Sequence, residues 1–275
     1  VFVYPEPWEH GPDPALFAKL PRGTGRHYAN FGSFADVAKA LRDGFVLDGT
    51  RFDQIYKFFL GTDAASTQGH EHVVHIQDHD QVGNRLRGDR MLATHGRAKA
   101  LLGITAVLAS PFVPMLFMGE EYGETAPFLF FEDFQDQALI DGVRAGRKAD
   151  FAFDGADGIE PPDPHARSTF EASKLQWHLL DAPDNQAILA LYRQLIALKR
   201  SGWLGPRQRD QVQVAADTAT EVITLATPHT LTVLNFSASP QKYVPPADWQ
   251  PLLATVEARA DGLLAPFAAW VLQRG

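Results

Sequence analysis

Apolar and polar positions alternate with two different rhythms along the chain, and the change falls near residue 205. Ahead of it the apolar spacing is helical, or runs in short buried blocks. Ser33-Phe34-Ala35-Asp36 reads as a capping box opening a helix that carries Val37, Ala40 and Leu41 on one face and stops near Gly44. "VVHI" at 73–76 is β-branched and compact, which predicts a short buried strand. Gly96 to Ala109 predicts an apolar helix and Pro114 to Met118 a second buried strand. Gln135 to Phe151 reads as a helix charged on one side, and Ser168-Thr169-Phe170-Glu171 as another capping box. The clearest helix is Asp184 to Arg200, with Ile188, Leu191, Leu195 and Leu198 in a stripe and Gly202 just beyond its end.

After about Pro206 the pattern becomes "QVQVAA", "EVITLAT", "TLTVLNF" and "AAWVLQ", short alternating runs between turn residues. That is the signature of antiparallel β structure. The expected organisation is therefore an α/β region over 1–204 and a small all-β domain over 205–275.

Composition narrows the function classes. The chain has 275 residues, 45% apolar and 21% charged, enough for a full core. Its net charge of −8 and lack of a basic run argue against nucleic acid as a partner. There is no cysteine, which removes disulfides, zinc–cysteine sites and thiol nucleophiles and weakly favours the cytoplasm. The N-terminal "VFVYPEPWEHGPDP" carries acids and prolines unlike a signal peptide, and begins with Val, as expected of a processed or partial chain. Leu101 to Met118 is apolar enough to consider as a membrane span, but Pro111 and Pro114 split it into a buried helix and a strand.

Chemistry concentrates in "HEHVVHIQDHDQ" (70–81), which holds four of the ten histidines. His70 and His72 beside Asp78-His79-Asp80 have the chemistry of metal ligands, and a metal-dependent phosphohydrolase is one reading. Such a site needs ligands from several segments, and the other histidines are scattered, so no metal is expected. The polar run directly after the strand is more informative: Asp78, His79, Asp80, Gln81, Gly83, Asn84 and Arg85 in close order. "PMLFM" runs into Gly119-Glu120-Glu121-Tyr122-Gly123 in the same way. Two strands delivering acids at their carboxyl ends look like a catalytic rim.

These residues resemble the α-amylase superfamily of glycoside hydrolases. "IQDHDQVGNR" (76–85) and "SPFVPMLFMGEEYG" (110–123) are similar to its last two barrel-strand motifs. "HDQVGNR", "LFMGEEYGETAPFLFFEDF", "GRKADF", "PPDPHARSTFEASKLQW" and "YRQLIALKR" are together similar to the maltooligosyltrehalose trehalohydrolase branch, from about Tyr28 to Arg200. The resemblance implies a (β/α)8 barrel followed by a β-sandwich. Such barrels need about 250 residues, so it implies here only the late strands and helices, with the upstream half of the barrel as an expected partner. It further implies an α-1,4-glucan substrate, maltooligosyl trehalose, cleaved next to its trehalose end, with no metal or organic cofactor.

Retaining glycosidases use two carboxylates at the scissile bond. The resemblance adds a third, the transition-state stabiliser, at Asp80, with His79 binding sugar beside it. Gln81, Asn84, Arg85, Glu120, Phe130 and Phe131 are further expected substrate contacts. Gly44-Phe45-Val46-Leu47-Asp48 mimics the family's nucleophile strand, but Val46 stands where that motif needs an arginine. The stretch from Asp48 to Asp80, in which Glu71 is the only Glu, is also too short for the intervening units. The isolated chain is thus expected to be inactive. Asp78 departs from the family's usual Asn; two carboxylates then bracket His79, which favours its imidazolium and makes one acid harder to ionise if all three are close. Other α-glucan hydrolases, a branching enzyme and a non-catalytic carbohydrate-binding remnant remain alternatives.

Overall fold

A computed structural model of the protein describes residues 33–52, 57–153, 160–206, 208–256 and 262–275. The N-terminal "VFVYPEPWEHGPDP" lies outside them. Helix α1 (Phe34–Asp43) starts as its sequence dictates: Ser33 Oγ accepts from the Asp36 amide while Asp36 accepts from the Ser33 amide. A hairpin of β1 (Asp48–Phe52) and β2 (Phe59–Gly61) comes next.

Strand β3 (Val73–Val74) then leads into the short helix α2 (His79–Gly83) and the long helix α3 (Met91–Ala109). Helix α3 breaks at Gly96, where φ is +79°, so the regular apolar part begins where the sequence predicts. Strand β4 (Val113–Pro114) returns parallel to β3, with Val113 N–H on His72 O and Met115 N–H on Val74 O. The second strand is shorter than the expected 114–118: its pairing with β3 ends at the Met115 N–H bond to Val74 O, and the chain beyond turns into a loop.

Helices α4 (Gln137–Phe153), α5 (Arg167–Ala172) and α6 (Pro183–Ser201) complete the α/β part. The capping box expected at Ser168 is not formed. Helix α5 begins earlier, at an Ala166 cap in a turn held by Asp163, which accepts the Ala166 and His165 amides and the Thr169 hydroxyl; Ser168 is inside the helix.

The C-terminal residues form a five-stranded antiparallel sheet, ordered β5 (Gln213–Asp217), β6 (Val222–Ala226), β7 (Thr230–Asn235), β11 (Ala269–Arg274) and β9 (Trp249–Ala254). A two-stranded ribbon, β8 (Gln241–Lys242) with β10 (Leu263–Leu264), accompanies it. One face of the sheet, with Ile223, Leu225, Leu234, Phe236, Ala269 and Val271, joins the core of α1, α3 and α6. The other, with Val233, Trp249, Trp270 and Leu272, packs with Leu264 of the ribbon. Both faces are thus covered, which is why every residue of β7 is buried rather than every second one. Among the described residues no helix is long and apolar enough to cross a membrane.

Candidate functional site

Asp80 lies in the first turn of α2, immediately after the chain leaves β3. Its side chain is 36% exposed and stands beside His79, 71% exposed, with Oδ1 3.5 Å from the imidazole Nε2. Asp78 holds this turn. It occupies the N-cap with extended backbone, and its Oδ1 accepts the Gln81 amide at 2.7 Å. Its Oδ2 lies 3.6 Å from Nε2 of the buried His75. The Asp78 carboxylate thus turns to the helix and to His75. The bracketing of His79 by two acids, considered on sequence grounds, is replaced by a cap, and Asn and Asp cap helices about equally well.

The end of α2 is clamped from a distance. Arg147 of α4, buried, donates from Nη1 to Asn84 Oδ1 at 2.6 Å and from Nη2 to Gly83 O at 3.2 Å. Its guanidinium lies between the rings of Phe130 and Phe151, 4.8 and 4.7 Å from their centroids. Burial lowers its pKa from the ordinary value, an effect opposed by Asp150. Asn84 and Phe130, both expected at the sugar, each give one side to this arginine, and sequence reasoning missed it. The only signal was the "GRKADF" motif, whose role the sequence does not disclose. Phe130 is 40% exposed; Phe131, also exposed, packs edge-on against Phe128 and Phe170. The loop carrying these rings lies on Gly88, whose carbonyl accepts the Phe128 amide. At φ +58°, a side chain on Gly88 would meet Phe128 O at 2.6 Å. Gln81 is half-buried, and burial lowers the pKa of Arg85.

At the end of β4 the acids face inward. A 3-10 turn over Glu120–Tyr122 is bracketed by left-handed Gly119 and Gly123. Glu120 is 7% exposed, and burial pushes its carboxyl up to about 8. Its Oε2 accepts from Gln77 Nε2 at 3.0 Å, while Gln77 Oε1 accepts the Met91 amide at 2.9 Å. Glu124, an acid sequence reasoning did not single out, is buried and fully engaged. It accepts the Thr125, Ala126 and Gln176 amides and the Tyr122 hydroxyl. Burial would raise its pKa, but these bonds hold it below the ordinary value. Arg90, 1% exposed, ties the same loop down, with Nε on Ala126 O and Nη1 on Met118 O, each at 2.7 Å.

The remaining acids and histidines sit elsewhere. Asp48 is engaged by Lys39 at 2.6 Å and by Thr50, and the Lys39 bond foremost holds its carboxyl well below the usual range. His72 is buried between Phe45 and Phe112, bonded to Thr67 Oγ1 at 2.6 Å, while His70 and Glu71 lie on an exposed turn. Among the described residues no three or more His, Asp or Glu come together as metal ligands.

No family model matches the chain. Curated relatives do. It is 36% identical over 199 residues to the malto-oligosyltrehalose trehalohydrolase of Saccharolobus solfataricus, covering 72% of this chain and 33% of that one. It is 38% identical over 193 residues to the enzyme of the same name from a Rhizobium species, covering 68% and 32%. The chain spans about a third of the length of these relatives. Among solved structures, a Salmonella typhimurium protein assigned as an alpha amylase superposes with a TM-score of 0.76 at 32% identity, over 94% of this chain and 45% of that one. The parallel pair with its helices and the antiparallel sheet after it are accordingly the late part of a (β/α)8 barrel and a C-terminal β domain. The chain belongs to the α-amylase superfamily and is similar within it to the malto-oligosyltrehalose trehalohydrolases.

Proposed function

We propose that this chain supplies the closing part, roughly 1–204, of a glycoside hydrolase barrel together with its β domain, 205–275. In that enzyme Asp80 stabilises the oxocarbenium-like transition state as the α-1,4 bond next to the trehalose end of maltooligosyl trehalose is cleaved. The observation that carries the reading is Asp80 itself, half-exposed in the first turn after β3 beside exposed His79, in a chain similar to trehalohydrolases. A carboxylate at that place can face a developing positive charge while the cap at Asp78 and the Arg147 clamp fix its helix. His79, Gln81, Asn84, Arg85, Phe130 and Phe131 are the proposed sugar contacts. Glu120 supports the strand ends from behind. The nucleophile and the general acid belong to an upstream segment, and the enzyme works in the cytoplasm.

The test is trehalose release from maltooligosyl trehalose by this chain joined to its upstream sequence. Asp80→Asn should lower turnover by about a hundred- to a thousandfold, the scale of losing one preorganised charge contact at a transition state. The isolated chain should bind glucan but turn none over. Turnover by the isolated chain would point to Asp48 and Glu71 instead, and stoichiometric metal at the histidines would favour a phosphohydrolase.

A further inference from the structure

Behind the two strand ends lies a cavity of about 20 Å³, and its lining includes Gln77, Arg90, Glu120 and Tyr192. Two polar atoms of that lining have no hydrogen-bond partner among the described residues: Glu120 Oε1 and Arg90 Nη2. The groups around them are already committed. Gln77 spends its amide on Glu120 Oε2 and Met91, and Arg90 spends Nε and Nη1 on two carbonyls. Glu124, in the same lining, already accepts four hydrogen bonds.

We infer that this cavity binds a single water molecule, hydrogen-bonded to both Arg90 Nη2 and Glu120 Oε1. The volume suits one water and little else, since about 10–15 Å³ on this measure holds one. The chemistry suits it too: Arg90 Nη2 can only donate, Glu120 Oε1 donates when protonated and accepts when ionised, and water meets either. Buried waters make about three hydrogen bonds, and Tyr192, fully buried in the same lining, supplies the third polar group. A cation is disfavoured beside a guanidinium. Leaving both buried polar groups unpaired would carry a desolvation cost that the water removes.

The site has a structural consequence. Gln77 joins the end of β3 to Glu120 and to the start of α3, and the water joins Glu120 to Arg90. The ends of both parallel strands and the start of α3 are then one hydrogen-bonded unit, from which the turn bearing Asp80 projects. This inference concerns the interior and does not depend on the proposed reaction.

The experiment is a high-resolution crystal structure of the chain, paired with water-oxygen magnetic relaxation dispersion, for wild type, Glu120→Gln and Glu120→Leu. Wild type should show one ordered water within hydrogen-bond distance of both Glu120 Oε1 and Arg90 Nη2. Glu120→Gln should retain it, because the amide oxygen still accepts from Gln77 while its NH2 donates to the water, and Glu120→Leu should show one long-lived water fewer. A dry cavity in wild type, a direct ion pair of Arg90 with Glu120 in its place, or an undiminished count of long-lived waters in Glu120→Leu would each overturn the inference. The wild-type and Glu120→Gln observations decide the matter even where Glu120→Leu fails to fold.

Discussion

The ends of β3 and β4 read alike as sequence and differ as structure. Each is an apolar strand running into acids and glycine. After β3 the chain enters a capped helix, whose first turn carries His79 and Asp80 toward the surface. After β4 it enters a 3-10 turn between two left-handed glycines, which folds Glu120 and Glu124 into the interior. The number of acids after a strand therefore does not say which acid reaches the surface; the conformation of the first turn does. One end presents a carboxylate and the other holds the frame that presents it.

The sharpest way to break this division is to remove the frame. Arg90→Met keeps the apolar stem but deprives Met118 O and Ala126 O of their buried donor. Bonds from a charged group are worth about 1.5–3 kcal/mol each, so a loss of about 3–5 kcal/mol in urea unfolding is expected. A loss under about 1 kcal/mol would mean that the β4 end holds itself without Arg90.

Glu120 gives the next largest effect, and its sign is fixed by the direction of its shift. Its carboxyl titrates at about 8 when folded against 4.5 ordinarily, so between those values the folded state holds a proton that the unfolded state has released. Its contribution is fully present below pH 4.5 and is lost as pH rises through 8, by up to a factor of ten in the folding equilibrium per pH unit. Nearby Arg90, Glu121, Glu124, Tyr122 and Tyr192 share this environment. Glu120→Gln, which cannot ionise, should flatten the fall in melting temperature over that window. Identical pH profiles for the two proteins would show that Glu120 is ionised throughout.

Arg147→Lys tests the presenting end alone. Lysine keeps the charge but cannot hold Asn84 and Gly83 together with one planar fork. A loss of about 1–2 kcal/mol is expected, with faster amide exchange in α2 and unchanged protection in β6, β7 and β11. Protection lost uniformly across the molecule would mean that the arginine serves the whole core rather than the Asp80 helix.

These residues also mark where sequence reading succeeded and where it stopped. Periodicity found α1 and α6 because each spends one face on the core and carries its own start or stop signal, Ser33 with Asp36 for the first and Gly202 for the second. It found both parallel strands because each is a β-branched or apolar block ahead of a polar cluster. It overextended the second, since the chain leaves β3 after Met115 for a loop that an apolar count cannot see. The resemblance singled out Asp80, whose role is a proposal, but neither pattern nor motif revealed Arg90 or Arg147. Each acts through contacts far along the chain, Arg90 on Ala126 and Arg147 on Gly83, and a buried arginine reads in sequence like any surface one. Glu120 and Glu121 were indistinguishable for the same reason: adjacent acids in a non-repeating turn carry no periodicity that assigns one inward.

The smallest effect separates two roles of Asp78. As the N-cap of α2 it accepts the Gln81 amide, a contact worth about 1 kcal/mol that Asp78→Ala removes and Asp78→Asn preserves. As an acid it also lies 3.6 Å from His75 Nε2, which an amide meets without charge. If the cap is the whole of its contribution, Asn should leave the urea midpoint within a few tenths of a kcal/mol of wild type and only Ala should move it. If Asn costs as much as Ala, the charge toward His75 is what the departure from the family's usual residue provides. Urea midpoints of both variants, measured side by side, distinguish these outcomes, since the cap predicts a loss in Ala alone and the charge predicts a loss in both.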